Sequence, residues 1–566
     1  MLFFERMMYM IELIKQKIRK AVEAHLNIED VILEEPKRGN ADLSIPLFSF
    51  AKQMGVSPLV VFERFKMIET LVDEIDHVEF LNGFLNIYLK RKLVARKIIH
   101  QIQVEKNNYG NKKEGQGQTI VMDYSSPNIA KSFGVGHLRS TVIGNSIKKI
   151  YEKFGYQVIG VNHLGDWGTQ FGKMIVAYEK WGKKEDIDRN PIEELQKLYV
   201  KFHDEEKNDP SLEEQAREVF LKLEKNDPHY IHLWSWFKDE SMKEFMSMYD
   251  LLHVTFDSYD GESFYNDKMD DAILELESNN LLKIDEGATI VDLGEDLPPA
   301  LIKKSDGATL YMTRDLAALL YRARTYHTKK VLYVVGNEQQ LHFKQLKRLT
   351  DYMGYDFDVV HVNFGLVMID GKKMSTRGGK FKRLEEVITQ AISDAKASIL
   401  EKNPNLKDQD KVSRAVGVGA IIFNDLKNER HLNVDFSLEN MLKFEGQTGP
   451  YLQYTGVRIH SILKDQVVDH HKVNLSYFEE DHYFEIIKLL AQFPVMLERA
   501  KESYMPSVIA RYLLNLAQGF NSFYGKQRIT VENEGHLMAN LLFLESIEIV
   551  LKEGLRILGI EALEEM

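Results

Sequence analysis

The stretch from Ser126 to Thr141 has the residue types of a phosphate-binding loop. It reads SPNIAKSFGVGHLRST and follows an apolar run at 119–122, which predicts a strand, a glycine-containing loop and a helix in that order. Backbone N–H groups at a helix start favour anions, and Gly136 lets a flat ring or a phosphate approach the backbone closely. His137 follows at once, where it can donate to a phosphoryl oxygen. The pattern is neither GxGxxG nor GxxxxGK[ST], so an ordinary turn with a surface histidine is the alternative.

Three other polar clusters have the composition of ligand-binding loops. Two of them, NHLGDWGTQ at 162–170 and GNEQQLH at 336–342, each follow an apolar run that predicts a strand. Ligands of open α/β sheets bind beyond the carboxyl ends of strands, so both positions suit a site. The third cluster contains Tyr311, Arg314 and Asp315. Tyr311 and Asp315 are four residues apart, which places them on one face of a helix. Each cluster also fits a plain turn or a helix cap, and none identifies a function alone.

Residues 369–383, IDGKKMSTRGGKFKR, form a strongly basic loop. They include six basic residues, one acidic residue and three glycines. Clustered lysines beside small hydroxyl residues suit a triphosphate whose charge grows during a reaction. A solvated basic surface loop is the alternative.

The composition is that of a soluble protein with several domains. At 566 residues the chain is too long for one core, and 44% apolar with 28% charged residues is typical of globular proteins. The absence of cysteine excludes disulfides, Cys-ligated zinc and a thiol nucleophile, and fits a reducing cytosol. The net charge of −12 argues against indiscriminate nucleic-acid binding but allows a local basic patch. The N-terminus predicts an amphipathic helix rather than a signal peptide, and no apolar run is long enough to span a membrane.

Strand and helix patterns alternate between residues 118 and 383, which predicts a parallel sheet covered by helices. A polar linker precedes this region, a charged helical segment interrupts it, and everything after Leu384 has helical periodicity, with a Gly/Pro break at 446–453. The predicted strands are 119–125, 156–165, 330–336 and 359–369.

Taken together, these motifs resemble those of class I aminoacyl-tRNA synthetases, and specifically the arginyl-tRNA synthetase family. The stretch at 126–141 resembles the family's HIGH region, GDWGTQFG resembles the block that follows it, and KKMSTRGG at 372–379 resembles the KMSKS region. DGESFY at 260–265 and LYMTRD at 310–315 match in order and spacing. The similarity extends over nearly the whole chain.

The resemblance implies an α/β Rossmann-type parallel-sheet catalytic domain, an N-terminal α+β domain and a C-terminal all-α anticodon-binding domain. The implied regions are an additional domain that contacts the tRNA elbow, a catalytic domain with a helical insertion at about 176–250, a helical linker that contacts the tRNA stem, and the anticodon-binding domain. Their boundaries are 1–112, 113–383, 384–446 and 447–566.

The implied activity is that of an arginine–tRNA ligase. ATP activates L-arginine to arginyl-adenylate, and the arginyl group then moves to the 3′ end of tRNA(Arg). The substrate carboxylate is the nucleophile, so the protein must only position the reactants and stabilise the developing charge. The resemblance further implies Mg²⁺ bound with ATP, no metal site of the protein's own, no membrane partner, a cytoplasmic location and a monomer.

The resemblance also assigns residues to three roles. The catalytic residues are His137, Lys131, Lys373 and Gly136. The arginine-binding residues are Asn128, Glu262, Tyr311, Asp315 and Gln339. The ATP-binding residues are Gly134, Gly136, His137, Gly336, His342, Met374 and Ser375.

Two departures from the family pattern leave alternatives open. Gly134 replaces the first histidine of the HIGH pattern, and Thr376 replaces the second lysine of KMSKS. Lys131 stands just ahead of the HIGH region, and we expect it to take over part of the phosphate clamping. One alternative is a nucleotidyltransferase on the same fold that works without tRNA. The other is a non-catalytic relative that binds arginine or RNA as a sensor.

Overall fold

A computed structural model describes residues 10–36, 41–369, 372–373 and 383–566. Two residues predicted to bind ATP, Met374 and Ser375, lie outside these ranges, as does Thr376. For Lys373 the backbone is described but the side chain is not.

A four-stranded parallel sheet forms the centre of the molecule, which confirms the predicted α/β class. β4 (Thr119–Asp123) lies between β5 (Gln157–Val161) and β9 (Lys330–Tyr333), and β10 (Asp358–His361) pairs with the far side of β9. The chain passes from β4 to β5 on one side and later returns to β9 on the other side, so the strand order reverses at β4. Ligands bind at such a switch point, beyond the carboxyl ends of the strands.

Helix α6 (Val135–Lys153) follows β4 and is almost entirely buried. It begins at Val135, directly after its N-cap Gly134. Its 19 residues span about 28 Å at 1.5 Å per residue. At its far end Lys153 pairs with the buried Glu553 at 3.0 Å. One helix thus connects the sheet edge with the C-terminal helices.

The predicted strand at 359–369 is wrong as a single element. The chain leaves the parallel sheet after β10 and forms β11 (Val367–Ile369), which pairs with β12 (Lys372–Lys373) and β13 (Val434–Asp435). Gly365 lies so close to the carbonyl of Leu432 that a Cβ there would be 2.5 Å from the oxygen. This long-range contact redirects the chain, and β13 also interrupts the region predicted to be wholly helical.

A small antiparallel sheet, absent from our prediction, precedes helix α13 (Tyr311–Tyr326). Glu286 and Gly287, both at positive φ, form the two-residue turn of its first hairpin. Most residues of its first strand are exposed, so the apolar pattern is weak. The strands are β6 (Leu282–Asp285), β7 (Ala288–Val291) and β8 (Ala300–Lys303).

The N-terminal region packs helices on an antiparallel sheet of order β1-β3-β2. Its apolar side chains continue into the cluster that includes α6 and the C-terminal helices, so these parts share one core. Its elements are α1 (Met10–Leu26), β1 (Leu43–Pro46), α2 (Phe48–Met54), α3 (Pro58–Phe65), α4 (Ile68–Leu71), β2 (Ile75–Leu81), β3 (Phe84–Leu89) and α5 (Arg91–Glu105).

Helices account for most of the remaining chain. Those between residues 118 and 383 are α7 (Thr169–Trp181), α8 (Lys184–Arg189), α9 (Pro191–Glu205), α10 (Ser211–Glu224), α11 (Pro228–Leu252), α12 (Met269–Ser278) and α14 (Gln340–Tyr352). Those after the basic loop are α15 (Leu384–Lys402), α16 (Gln409–Leu426), α17 (Leu438–Met441), α18 (Gly449–Leu463), α19 (Asp481–Ser503), α20 (Ser507–Lys526) and α21 (Glu534–Leu558). Across the described ranges, none of the helices has the length and apolar character needed to cross a membrane.

Candidate active site

The loop after β4 has strained backbone. Ser125, Ser126 and Ala130 have positive φ values of 72°, 47° and 58° although none is glycine. Hydrogen bonds hold the loop in this conformation: the Ser126 hydroxyl donates to Asp123 at 2.8 Å, and the Ser125 N–H donates to the Ser140 hydroxyl at 2.8 Å. Such strain is found where a site requires a particular backbone shape.

The start of α6 presents a neutral histidine. The Gly134 N–H donates to His137 Nδ1 at 3.1 Å, so the ring proton is assigned to Nε2. Desolvation lowers the pKa of His137 to about 4, and the positive charge of the nearby Lys131 adds to this effect. Across the physiological pH range His137 is therefore an uncharged donor at a helix start that already favours anions.

A cavity of about 320 Å³ lies beside this histidine. Gly136 and His137 line one side, and Gly336 with the segment 364–367 lines the other. A Cβ added to Gly136 would meet no atom within 4 Å, so the cavity is open where a side chain would otherwise project. The volume is in the range of small-molecule sites.

A carboxylate held between two histidines lies on α13. The His342 Nε2–H donates to Asp315 Oδ2 at 2.6 Å, and His163 Nε2 is 3.9 Å from the other oxygen. Burial alone would raise the pKa of Asp315, but the His342 hydrogen bond and the fields of His163 and Arg322 hold this pKa below its usual range. Asp315 is therefore an anion in a partly buried site.

A second carboxylate, Glu262, lies close to the first. Burial raises the pKa of Glu262 to about 7, opposed by Arg314 and reinforced by the negative charges of Asp315 and Asp166. The nearest cation is Arg314, whose Nη1 is 3.7 Å from Glu262 Oε2. Two carboxylates that repel each other are stabilised by a cation between them.

Asp166 holds the backbone on which Glu262 stands. Its fully buried carboxylate accepts hydrogen bonds from the N–H and the hydroxyl of Ser263, both at 2.8 Å, and from Lys238 at 2.6 Å. A Cβ on Gly261 would lie 2.6 Å from this carboxylate, so only glycine fits there. The GDWG block thus positions the second carboxylate.

Both ends of the basic loop are anchored at the start of α6 or at the neighbouring strands. At its start, β11 pairs with β12. At its end, the backbone of Arg383 forms an antiparallel β-bridge with Gly134. The Leu384 N–H then donates to the Phe133 carbonyl at 3.0 Å. The stretches 126–141 and 369–383, far apart in sequence, therefore meet at one site.

Three family models match the chain. The one described as tRNA synthetases class I (R), catalytic domain, matches residues 98–438, which is more than half of the chain. The chain belongs to the arginyl-tRNA synthetase family. The Arginyl tRNA synthetase N terminal domain model matches residues 8–89, and the DALR anticodon binding domain model matches residues 452–566. The predicted family is confirmed.

Relatives and solved structures agree with this family assignment. The arginine–tRNA ligase of an Exiguobacterium species is 48% identical over 97% of this chain and 99% of its own length. Arginine–tRNA ligase 1 of Bacillus thuringiensis is 49% identical over 94% of this chain and 95% of its own. The structure of Thermus thermophilus arginyl-tRNA synthetase has a TM-score of 0.83 at 22% identity, covering 98% of this chain and all of that one, and so has the same fold.

The remaining predicted site residues of this arginyl-tRNA synthetase family member lie around the same sheet edge. Asn128 forms a parallel β-bridge with Gly165, just beyond the ends of β4 and β5. Gln339 is exposed in the turn after β9, and Tyr311 begins α13 with 68% of its surface exposed. His342 does not line the 320 Å³ cavity; its partner is Asp315. The roles of these residues in binding stay predictions.

Arg139 is a buried residue of the site that sequence reasoning missed. Its guanidinium pairs with Asp425 of α16 at 2.9 Å and donates to the carbonyls of Gly365 and Leu432 at 2.8 Å each. It thereby ties α6 to the wall of the cavity and to the helical region beyond the basic loop. A single arginine among small and apolar residues, HLRSTVIG, was the only available signal.

Proposed function

We propose that these residues perform the two-step reaction of an arginine–tRNA ligase. In the first step the arginine carboxylate attacks the α-phosphate of ATP, forming the acyl–phosphate bond of arginyl-adenylate and releasing pyrophosphate. In the second step the terminal ribose hydroxyl of tRNA(Arg) takes the arginyl group and AMP leaves. One observation carries the proposal: a cavity beside a neutral histidine donor and a pair of carboxylates lie at the same sheet edge.

The nucleotide occupies the cavity in this proposal. The adenosine lies against Gly136 and Gly336, where the backbone leaves room for a flat ring. Gly134 and the N–H groups that begin α6 face the α-phosphate, and the Nε2–H of His137 stabilises the charge that develops there.

Gly136→Ala is expected to weaken ATP binding about tenfold, because the added methyl group would project into the nucleotide's space. The fold should be unaffected, since this Cβ meets no atom of the protein within 4 Å. Equilibrium binding of ATP and the melting temperature measure the two effects. The matched control is Gly525→Ala on α20, whose added Cβ also meets no atom within 4 Å and which should leave ATP affinity unchanged. Unchanged ATP affinity in Gly136→Ala would contradict this placement of the nucleotide.

Lys131 and the basic loop bind the β- and γ-phosphates in this proposal. Lys131 acts on the side of α6, while Lys373, Met374 and Ser375 act from the loop that returns at Arg383. Residues 10–36, 41–369, 372–373 and 383–566 contain no group of three or more His, Asp or Glu side chains that could hold a metal. In this proposal Mg²⁺ enters with ATP, bound by phosphate oxygens and water, and offsets their charge.

Lys131→Ala is expected to slow adenylate formation about tenfold or more, because a charged hydrogen bond to phosphate is lost and Thr376 offers no replacement. Lys131→Arg keeps the charge and should recover most of the rate. ATP–pyrophosphate exchange in the presence of tRNA measures both variants. Equal exchange by the wild type and Lys131→Ala would show that this lysine does not substitute for the one absent from the loop.

The arginine side chain lies against the acidic pair. Its planar guanidinium has five donors and matches Asp315 and Glu262 together, with Tyr311 as a third partner. Lysine has a compact charge and cannot make the same paired hydrogen bonds. Asn128 and Gln339 serve the α-amino end of the substrate.

The tRNA contacts regions outside the catalytic sheet. In this proposal residues 1–112 contact the tRNA elbow, 384–446 the stem and 447–566 the anticodon, around a catalytic domain at 113–383 with its insertion at about 176–250. Helix α6 and the Arg139–Asp425 pair connect the helical regions to the cavity. The enzyme works as a cytoplasmic monomer.

Charging of tRNA(Arg) with radiolabelled amino acid tests the proposed function. We expect ATP-dependent attachment of arginine and no attachment of lysine under the same conditions. A nucleotidyltransferase would release pyrophosphate without charged tRNA, and a sensor would bind arginine without turnover. Either result would overturn the proposal.

A further inference from the structure

Arg314 occupies an unfavourable position for a purely structural residue. It lies in the first turns of α13, where the helix dipole disfavours a cation. Its side chain is only 13% exposed, and its Nε is buried without a hydrogen-bond partner in the described part of the chain. Its one ion-pair contact there is Glu262 Oε2 at 3.7 Å, a carboxylate that is itself only 16% exposed. A buried charge kept at such a cost is expected to serve the site.

The charges facing Glu262 come from two parts of the chain, α13 and the segment after β5. Asp315 on α13 and Asp166 after β5 both repel it, whereas Arg314 attracts it. Lys238 on α11 already pairs with Asp166 at 2.6 Å and offsets that charge. Glu262 and Asp315 together carry one more charge than Arg314 offsets. Asp315 also accepts a hydrogen bond from His342, and Arg314 also faces Glu224.

The substrate's guanidinium supplies the missing positive charge. With it bound, two carboxylates face two guanidinium groups, and the pocket becomes neutral. Without Arg314, two adjacent carboxylates would remain in a desolvated pocket, and the less stable one would take up a proton. A protonated Glu262 offers a donor where the substrate needs an acceptor.

We propose that Arg314 is a specificity-determining positioning residue, which keeps Glu262 charged in the empty pocket so that the pocket takes a single guanidinium. The inference rests on the proposed function, because it assumes that Glu262 and Asp315 bind the arginine side chain. Arg314 acts through Glu262 and need not touch the substrate.

The pKa of Glu262 predicts how arginine affinity changes with pH. Burial raises this pKa to about 7 even with Arg314 in place, so the carboxylate is charged above pH 7 and protonated below it. Removal of Arg314 raises the pKa further. Once the pKa of Glu262 lies above the pH, each further pKa unit lowers the charged fraction of Glu262 about tenfold. The apparent affinity for arginine falls in proportion to the fraction of sites that are charged.

The test compares arginine binding by Arg314→Met, which keeps the length without the charge, and Arg314→Lys, which keeps the charge. Calorimetry between pH 6 and 9, with tRNA and without ATP, measures the dissociation constants. We expect Arg314→Met to bind arginine at least about fivefold more weakly at pH 7 and to recover as the pH rises. Arg314→Lys should retain a profile close to the wild type.

Other outcomes separate this inference from the proposed function. Equal affinity of Arg314→Met and wild type at every pH would overturn the inference, and so would tighter binding, which would mean that Arg314 competes with the substrate. Glu262→Gln is the reference variant. If it binds arginine as the wild type does, the proposed arginine site itself is wrong; if only Glu262→Gln is weakened, the site stands and the inference fails.

A second measurement covers the case in which Arg314→Met does not fold, as judged by its circular dichroism and melting temperature. In the wild type, arginine binding should weaken as the pH falls through about 7, and this part of the dependence should vanish in Glu262→Gln. A dependence that persists in Glu262→Gln belongs to other groups and would overturn the inference.

Discussion

Asp315→Asn is expected to abolish most arginine activation while ATP binding survives. The carboxylate lies between His342 and His163 and keeps a lowered pKa despite burial, so it is an anion poised for a cationic ligand. Loss of one partner from a buried charge cluster costs about 3–5 kcal/mol, a factor of several hundred or more in affinity. Asparagine keeps the shape of the side chain, so the change removes charge rather than volume. Arginine-dependent ATP–pyrophosphate exchange and ATP binding measure the two effects separately.

A surface aspartate supplies the control for this experiment. Asp271 is exposed on α12, and Asp271→Asn should leave both exchange and ATP binding unchanged. Comparable loss of arginine activation and ATP binding in Asp315→Asn would mean that Asp315 supports the fold of the site. The assignment of Asp315 to the guanidinium would then be wrong.

His137→Ala is expected to slow adenylate formation about 10²- to 10³-fold, the usual cost of removing one donor from a site of developing charge. The ring Nε2–H is lost, and the Gly134 N–H also loses its acceptor. Arginine binding should change little, because His137 lies on the nucleotide side of the site. Single-turnover adenylate formation measures the rate, and calorimetry measures the binding.

The pH dependence gives His137 an independent test. Its pKa is lowered to about 4, so the imidazole is neutral at every pH above about 5 and is protonated only in more acidic solution. The wild-type rate should therefore show no step from His137 between pH 5 and 8. A step near pH 6.5 that disappears in His137→Ala would contradict a neutral donor. His229→Ala, an exposed histidine on α11, is the control for both measurements.

The parallel sheet could be predicted because its strands are apolar on both faces. Central strands of parallel sheets need no polar face, and the run at 119–122 shows this in sequence. The boundary inside 359–369 could not be predicted, because the contact between Gly365 and Leu432 joins residues far apart in the chain. The β6–β8 sheet escaped notice for the opposite reason: its first strand is mostly exposed, and only its Glu286–Gly287 turn marks it.

The sequence could predict which residues form the candidate site, but not the buried residues that hold them in place. Gly136 and His137 could be named because their chemistry is local to one loop. Asp166 and Arg139 could not be assigned a role, because a buried charge depends on partners from distant segments, Lys238 in one case and Asp425 in the other. Arg314 was visible as the neighbour of Asp315, but only the fold brings it to Glu262.

ATP–pyrophosphate exchange with arginine, measured with and without tRNA(Arg), tests the central claim most directly. It reports adenylate formation alone and so isolates the step assigned to the cavity and the acidic pair. We expect exchange that requires arginine, is not supported by lysine, and, as the resemblance to the arginyl-tRNA synthetase family implies, occurs only when tRNA is present. Absence of exchange in the presence of arginine, ATP and tRNA would contradict a catalytic role and favour a sensor.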